Sequence, residues 1–183
     1  MWSKNASLEG GTLSLAGIPA AKLAMDFGTP AFFLDEDAYR SRALAWHNGL
    51  QSEFGEHAGT IYYAAKSFIC TAVAQWIAEI GIGIDVCTGG ELAAALAGGI
   101  NPQKIEVHGN NKSVAEIDRA VSVGVKTIVM DSLFEIERVA AAAKKHGVRQ
   151  AVMLRLTPGI EAHTHEKIST AHEDVKFGFS IAS

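Results

Sequence analysis

Long apolar runs are missing from this chain: nowhere do the roughly 18 consecutive apolar residues that a membrane-crossing helix needs occur. The opening Met1-Trp2-Ser3-Lys4-Asn5 does not lead into an apolar run with a small-residue cleavage site, so no secretory leader is read there and a cytoplasmic protein is expected. Cysteine is scarce: Cys70 and Cys87 are the only 2, each within an apolar stretch, which is neither a disulfide framework nor a zinc spacing. Both are expected to be buried free thiols. Proline is scarce as well, at 4, and the composition is not that of a disordered chain. No charge of one sign dominates. Lys and Arg number 16 against 20 Asp and Glu, the net charge is −4, and the cations are scattered, so the electrostatic footprint of a nucleic-acid-binding protein is absent.

What the chain does have is apolar mass, 48% of its 183 residues, enough for one sizeable core. The first 27 residues give only a short Thr12-Leu13-Ser14-Leu15 stretch, then Gly17-Ile18-Pro19 and a brief helical pattern over 20–27, an arm or small strand plus helix that packs on something else. Gly28-Thr29-Pro30 is a turn signal, and Ala31-Phe32-Phe33-Leu34 is an expected short strand. The acidic run Asp35-Glu36-Asp37 suits the start of a helix reaching about Phe54, because carboxylates oppose the exposed amide dipoles there.

From residue 60 the punctuation is regular. Strand-like runs at 60–65, 82–87, 104–108, 127–130 and 151–156 alternate with Ala-rich helical patterns at about 67–80, 89–98, 113–123 and 132–146. Repeated strand-to-helix units with short connections predict an α/β fold with a parallel sheet built by right-handed crossovers. Gly124-Val125-Lys126 and Gly147-Val148-Arg149 fit helix ends. Periodicity alone leaves a doubly wound sheet and a barrel both open, and these strands are too few to close an eight-stranded barrel.

Candidate chemistry gathers at the strand ends. Lys66 follows Ile61-Tyr62-Tyr63-Ala64-Ala65 at the carboxyl end of the first parallel strand, where ligand sites of such folds collect. Partial desolvation there would free its amine for imine chemistry; capping a strand at the surface is the commoner role for such a lysine. Asp85 ends the second strand, as a site residue or as a satisfied strand-end group, and Glu91 stands near the start of the next helix. His108-Gly109-Asn110-Asn111-Lys112-Ser113 forms a polar rim after the third strand, in which Ser113 and Glu116 have the spacing of a capping box. Arg155 is a cation inside an apolar strand and requires a carboxylate or a ligand. The polar run holding His163, His165, Glu166, His172, Glu173 and Asp174 lacks the helical spacing of a zinc site and reads as an active-site loop with no metal.

In order, Tyr62-Tyr63-Ala64-Ala65-Lys66-Ser67-Phe68, Asp85-Val86-Cys87-Thr88-Gly89-Gly90-Glu91-Leu92, His108-Gly109-Asn110-Asn111-Lys112-Ser113, Leu154-Arg155-Leu156-Thr157-Pro158-Gly159 and Lys176-Phe177-Gly178-Phe179 resemble motifs of the diaminopimelate decarboxylase family. The stretch Ile160-Glu161-Ala162-His163-Thr164-His165-Glu166 resembles its actinobacterial branch, and the likeness runs from about Leu15 to the last residue. These are fold-type III pyridoxal-phosphate enzymes. The resemblance implies a partial TIM (β/α)8 barrel of the alanine racemase-like type over 35–183, with residues 1–34 an arm and strand belonging to a β domain. It implies pyridoxal 5'-phosphate as cofactor, attached through Lys66, with Asp85, His108 and Arg155 binding it and Glu91, Asn110 and Lys176 supporting substrate or the surrounding polar network. The implied reaction is decarboxylation of meso-2,6-diaminopimelate to L-lysine and carbon dioxide in a homodimer.

The family's phosphate loop, ring-nitrogen carboxylate and stacking histidine would all follow Ser183. The chain therefore reads as the front part of a longer enzyme, weakly active or inactive alone. Rival readings are another decarboxylase or racemase of the same fold, a non-enzymatic pyridoxal-phosphate carrier, and a nucleotide-binding doubly wound domain. The last is disfavoured because neither Gly-Xaa-Gly-Xaa-Xaa-Gly after the first strand nor a Gly-Lys-Ser loop is present.

Overall fold

A computed structural model describes residues 3–157 and 177–180. The chain divides into two compact units, residues 1–59 and residues 60–183.

The first unit holds a small antiparallel sheet, β1 (Ala6–Glu9), β2 (Thr12–Leu15) and β3 (Ile18–Pro19), followed by helices α1 (Ala20–Phe27) and α2 (Glu36–Phe54). In α2 the Asp35 carboxylate accepts from the Ala38 amide at 3.0 Å, and Glu36 and Asp37 occupy the first turn, as the acidic run predicts. Residues 31–34 are not a strand: Phe32 is almost wholly exposed, and no strand among the described residues pairs with this stretch. An apolar tetrapeptide with no ladder partner gains nothing from extension. β1 was not anticipated, because Ala6-Ser7-Leu8-Glu9 is nearly all exposed and carries little apolar patterning.

The second unit is a five-stranded parallel sheet, β4 (Tyr62–Ala64), β5 (Gly83–Val86), β6 (Ile105–Val107), β7 (Thr127–Met130) and β8 (Val152–Leu154), in that spatial order. Helices α3 (Thr71–Ile80), α4 (Gly89–Ala97), α5 (Val114–Val123) and α6 (Leu133–His146) fill the four crossovers. Each strand neighbours the next in sequence and the order never reverses. A doubly wound sheet requires such a reversal; consecutive winding is the arrangement of barrel strands. A further parallel pair, β9 (Leu156–Thr157) with β10 (Phe179–Ser180), continues beyond β8.

Side chains alternate across the sheet. Ile84 pairs with Ile105 and Val107 with Ile128 on one face, where the isoleucines are fully buried and supply the core with Val73, Ile77, Ile117 and Val121. The other face carries the row Ala64, Asp85, Glu106 and Thr127, linked by successive ladder partners. The central strands are enclosed on both faces, as their apolar runs require, whereas the outer strand β8 leaves Val152, Met153 and Leu154 exposed. Gly124 and Gly147 end α5 and α6 in the left-handed conformation, so the Gly-Val pattern before each strand is a helix stop.

Candidate active site

The carboxyl ends of β4, β5 and β6 bring together residues that lie far apart in sequence. Lys66 sits on a single turn, Ala65–Ser67, that follows β4 directly. Its side chain is exposed rather than partly desolvated, because the turn carries it beyond the strand end. Ser67 secures this turn through its one hydroxyl proton, shared between the Ala64 carbonyl at 2.8 Å and the Tyr63 hydroxyl at 3.0 Å, while Tyr63 donates to the Phe68 carbonyl.

Asp85, in the polar row on β5, contacts His108 Nδ1 through its Oδ1. A carboxylate on Nδ1 fixes the ring's orientation and places the proton of a neutral imidazole on that nitrogen. Of the two readings of Asp85, a satisfied strand-end group and a site residue, the structure shows a partner that is itself a titratable group at the next strand end.

Glu91 lies in the first turn of α4, where Thr88 caps the helix by accepting from the Glu91 amide at 3.1 Å. Its carboxylate turns back to accept from the Cys87 amide at 2.6 Å, tying the end of β5 to the helix start. Neither cysteine is buried: Cys70 is exposed just before α3, and Cys87 is half-buried in the mouth beyond β5. Apolar neighbours in sequence mislead here because both residues terminate their runs. Burial pushes the Cys87 thiol up, the Asp85 and Glu91 charges push the same way, and Lys66 and Lys112 oppose them. That thiol therefore senses the charges of four separate segments.

Asn110 stands in the half-buried loop after β6. Ser113 and Glu116 form the anticipated capping box, and Glu116 also accepts from the Gly89 amide at 2.8 Å, joining the starts of α4 and α5. Arg155, at the end of β8, does not join the Asp85–His108 pair. Its guanidinium meets Asp131 at 3.4 Å and lies 4.3 Å from the centre of the Phe177 ring. Lys176 and the polar run with His163, His165, Glu166, His172 and Asp174 lie outside the described residues. Among the described residues there is no cluster of His, Cys, Asp or Glu able to hold a metal ion, and no helix is long and apolar enough to cross a membrane.

Sequence reasoning passed over Glu106, Asp131 and Glu135, and placed Lys112 only within the polar rim after the third strand. Glu106 is buried beside Asp85 in the polar row; burial raises its carboxyl above the ordinary range, Asp85 adds to the shift, and His108 and Lys126 reduce it. Lys112, Asp131 and Glu135 are buried at the ends of β6 and β7. Asp131 carries a signal close to the one that singled out Asp85, a carboxylate at the end of an apolar strand, inside it for Asp85 and directly after it for Asp131. Glu106 interrupts Ile105-Glu106-Val107 as conspicuously as Arg155 interrupts its own strand.

A primary amine at one strand end, a carboxylate-oriented imidazole at another and, apart from that pair, a guanidinium flanked by an aromatic ring are the residue types that could hold an anionic aromatic aldehyde. Comparison with known proteins agrees. Residues 38–183 match the family model described as "Pyridoxal-dependent decarboxylase, pyridoxal binding domain". Over the whole chain the sequence is 52% identical to diaminopimelate decarboxylase of Mycobacterium tuberculosis and 41% identical to that of Corynebacterium efficiens. It covers 40% and 39% of those proteins, so the chain spans about two fifths of the length of the curated relatives it matches. The crystal structure of diaminopimelate decarboxylase from M. jannaschii superposes with a TM-score of 0.85 at 28% identity, over 98% of this chain and 42% of that one. The Helicobacter pylori enzyme complexed with L-lysine superposes at 0.75 and 27% identity, over 86% of this chain and 39% of that one. The fold is thus the partial barrel of the fold-type III decarboxylases, and the chain belongs to the pyridoxal-dependent decarboxylase family, of which it carries the pyridoxal-binding domain.

Proposed function

We propose that the protein decarboxylates meso-2,6-diaminopimelate to L-lysine and carbon dioxide with pyridoxal 5'-phosphate, Lys66 being the residue that holds the cofactor covalently. The observation that carries this reading is the placement of Lys66 on the turn after β4, at the same sheet end as the Asp85–His108 pair. When bound, the cofactor supplies an electron sink for the bond that breaks. The chain's residues supply placement and charge. The turn fixed by Ser67 holds the Lys66 amine at the site's mouth. Asp85 orients His108, and Arg155 offers a cation held against an aromatic ring. Glu91 sets the end of β5 that carries Asp85 and Cys87, while Asn110 and Lys176 belong to the surrounding polar network. Residues 1–34 contribute to a β domain, 35–183 form the front part of the cofactor-binding barrel, and the complete enzyme acts as a cytoplasmic homodimer.

The test is turnover. At its natural length, the protein with pyridoxal phosphate is expected to release carbon dioxide from meso-diaminopimelate in step with L-lysine, and Lys66→Ala to abolish both. Release from ornithine or lysine in preference to diaminopimelate would reassign the substrate. No release from any of the three would overturn the activity.

A further inference from the structure

Away from the Asp85–His108 pair, the ends of β6, β7 and β8 are joined by a continuous polar chain through the interior. Lys112 Nζ donates to the carbonyls of Gly109 and Val129, each at 2.6 Å, and pairs with Glu135 Oε2 at 3.0 Å; both side chains are 2% exposed. The same Glu135 oxygen accepts from the Asp131 amide at 2.9 Å. Asp131 then divides its carboxylate: Oδ1 faces the Arg155 guanidinium at 3.4 Å, and Oδ2 accepts from the Gly178 amide at 3.0 Å.

Gly178 is the second anchor of this arrangement. A side chain there would bring its first carbon within 2.7 Å of the Arg155 carbonyl, and the backbone stands at φ +76, so this position admits glycine alone without displacement. Phe179 donates to the Arg155 carbonyl at 2.7 Å, and Thr157 donates to the Phe177 carbonyl. Arg155 is therefore enclosed by Asp131 on one side and Phe177 on the other, and the carboxylate that holds its head also holds the segment bearing that ring.

We propose that Asp131 is the positioning residue of Arg155: one buried carboxylate, on a residue whose backbone amide is held by the Lys112-paired Glu135, fixes the guanidinium and the Phe177–Ser180 segment together. A mobile arginine loses its orientation entropy each time it engages an anion, whereas one already clamped between a carboxylate and a ring does not. The inference rests on the proposed function only in that the anion presented to Arg155 is the pyridoxal-phosphate cofactor.

The experiment is a double-mutant cycle at natural protein length between Asp131→Asn and Arg155→Met. It is read by pyridoxal-phosphate affinity and by the induced circular dichroism of the bound cofactor's visible band. Asparagine keeps the volume and an acceptor for Gly178 but removes the charge facing Arg155. Asp131→Asn is expected to weaken cofactor binding about tenfold and to change the dichroic band in the native background, and to do neither in the Arg155→Met background. Equal effects in both backgrounds, or none in the native one, would overturn the proposal. If Asp131→Asn does not accumulate as folded protein, hydrogen exchange in Arg155→Gln decides. Faster exchange at the Gly178 and Phe179 amides is expected, and unchanged exchange would show that the two anchors are not coupled. Failure of the functional reading is separable, because unmutated protein would then show no borohydride-stable cofactor adduct on Lys66.

Discussion

Replacing Lys112 with methionine keeps most of the side-chain volume but leaves the Glu135 carboxylate alone in the interior. Lys112 and Glu135 are each 2% exposed and 3.0 Å apart, and the lysine is also the donor to two strand-end carbonyls. Breaking a buried pair from one side costs about 3–5 kcal/mol, mostly the penalty of the charge left behind. At a urea slope of about 2 kcal/mol/M that is a midpoint lower by roughly 1.5–2.5 M. Adding Glu135→Gln removes the stranded charge while its amide oxygen still accepts from the Asp131 amide, so the double variant is expected to recover about 2 kcal/mol over Lys112→Met alone. Equilibrium urea unfolding of the two single variants and the double variant measures this directly. A double variant less stable than Lys112→Met would refute the reasoning, since no stranded charge would then have been relieved.

Three further outcomes follow from other parts of the fold. In Gly98→Ala the new methyl would lie 2.3 Å from the Ala74 side chain and 2.9 Å from its backbone, so separating α3 from α4 should cost about 1–3 kcal/mol, partly recovered by Ala74→Gly, in thermal unfolding. Glu106 is raised by burial first, so its unfolded form ionises before its folded form and stability is lost as pH rises from the ordinary value of 4.5 through the folded one. Glu106→Gln should therefore gain in melting temperature relative to the native chain as pH is taken from 4 to 7, and a difference that does not grow with pH would contradict this. Glu116 is lowered by accepting from the Ser113 and Gly89 amides, so its contribution is present above 4.5 and lost as pH falls through its folded value. The deficit of Glu116→Gln against the native chain should accordingly vanish in acid, while Ser113→Ala costs about 1 kcal/mol through the lost cap.

The alternation of strands and helices from residue 60 was legible because each strand there is an apolar run between turn signals and each helix carries a cap or a stop. Asp35, Ser113, Gly124 and Gly147 act locally, within four residues, and sequence displays local effects well. Lys66, Asp85 and His108 stand out in the sequence because strand ends collect ligands, a rule of topology. What escaped were partnerships across the fold. Arg155 clearly needed a partner, but nothing nearby marks Asp131, 24 residues away, as that partner. Lys112 reads as part of a polar ligand rim, and only the arrival of Glu135 from α6 shows why a lysine can be enclosed there. The same limit explains residues 31–34: their pattern is strand-like, and no strand among the described residues meets them.

The most direct test of the account is borohydride reduction of the protein with pyridoxal phosphate, followed by peptide mass mapping. The expected result is a single reduced adduct on Lys66, absent from Lys66→Ala. Labelling spread over many lysines, or confined to one other than Lys66, would contradict the assignment of the site to the end of β4.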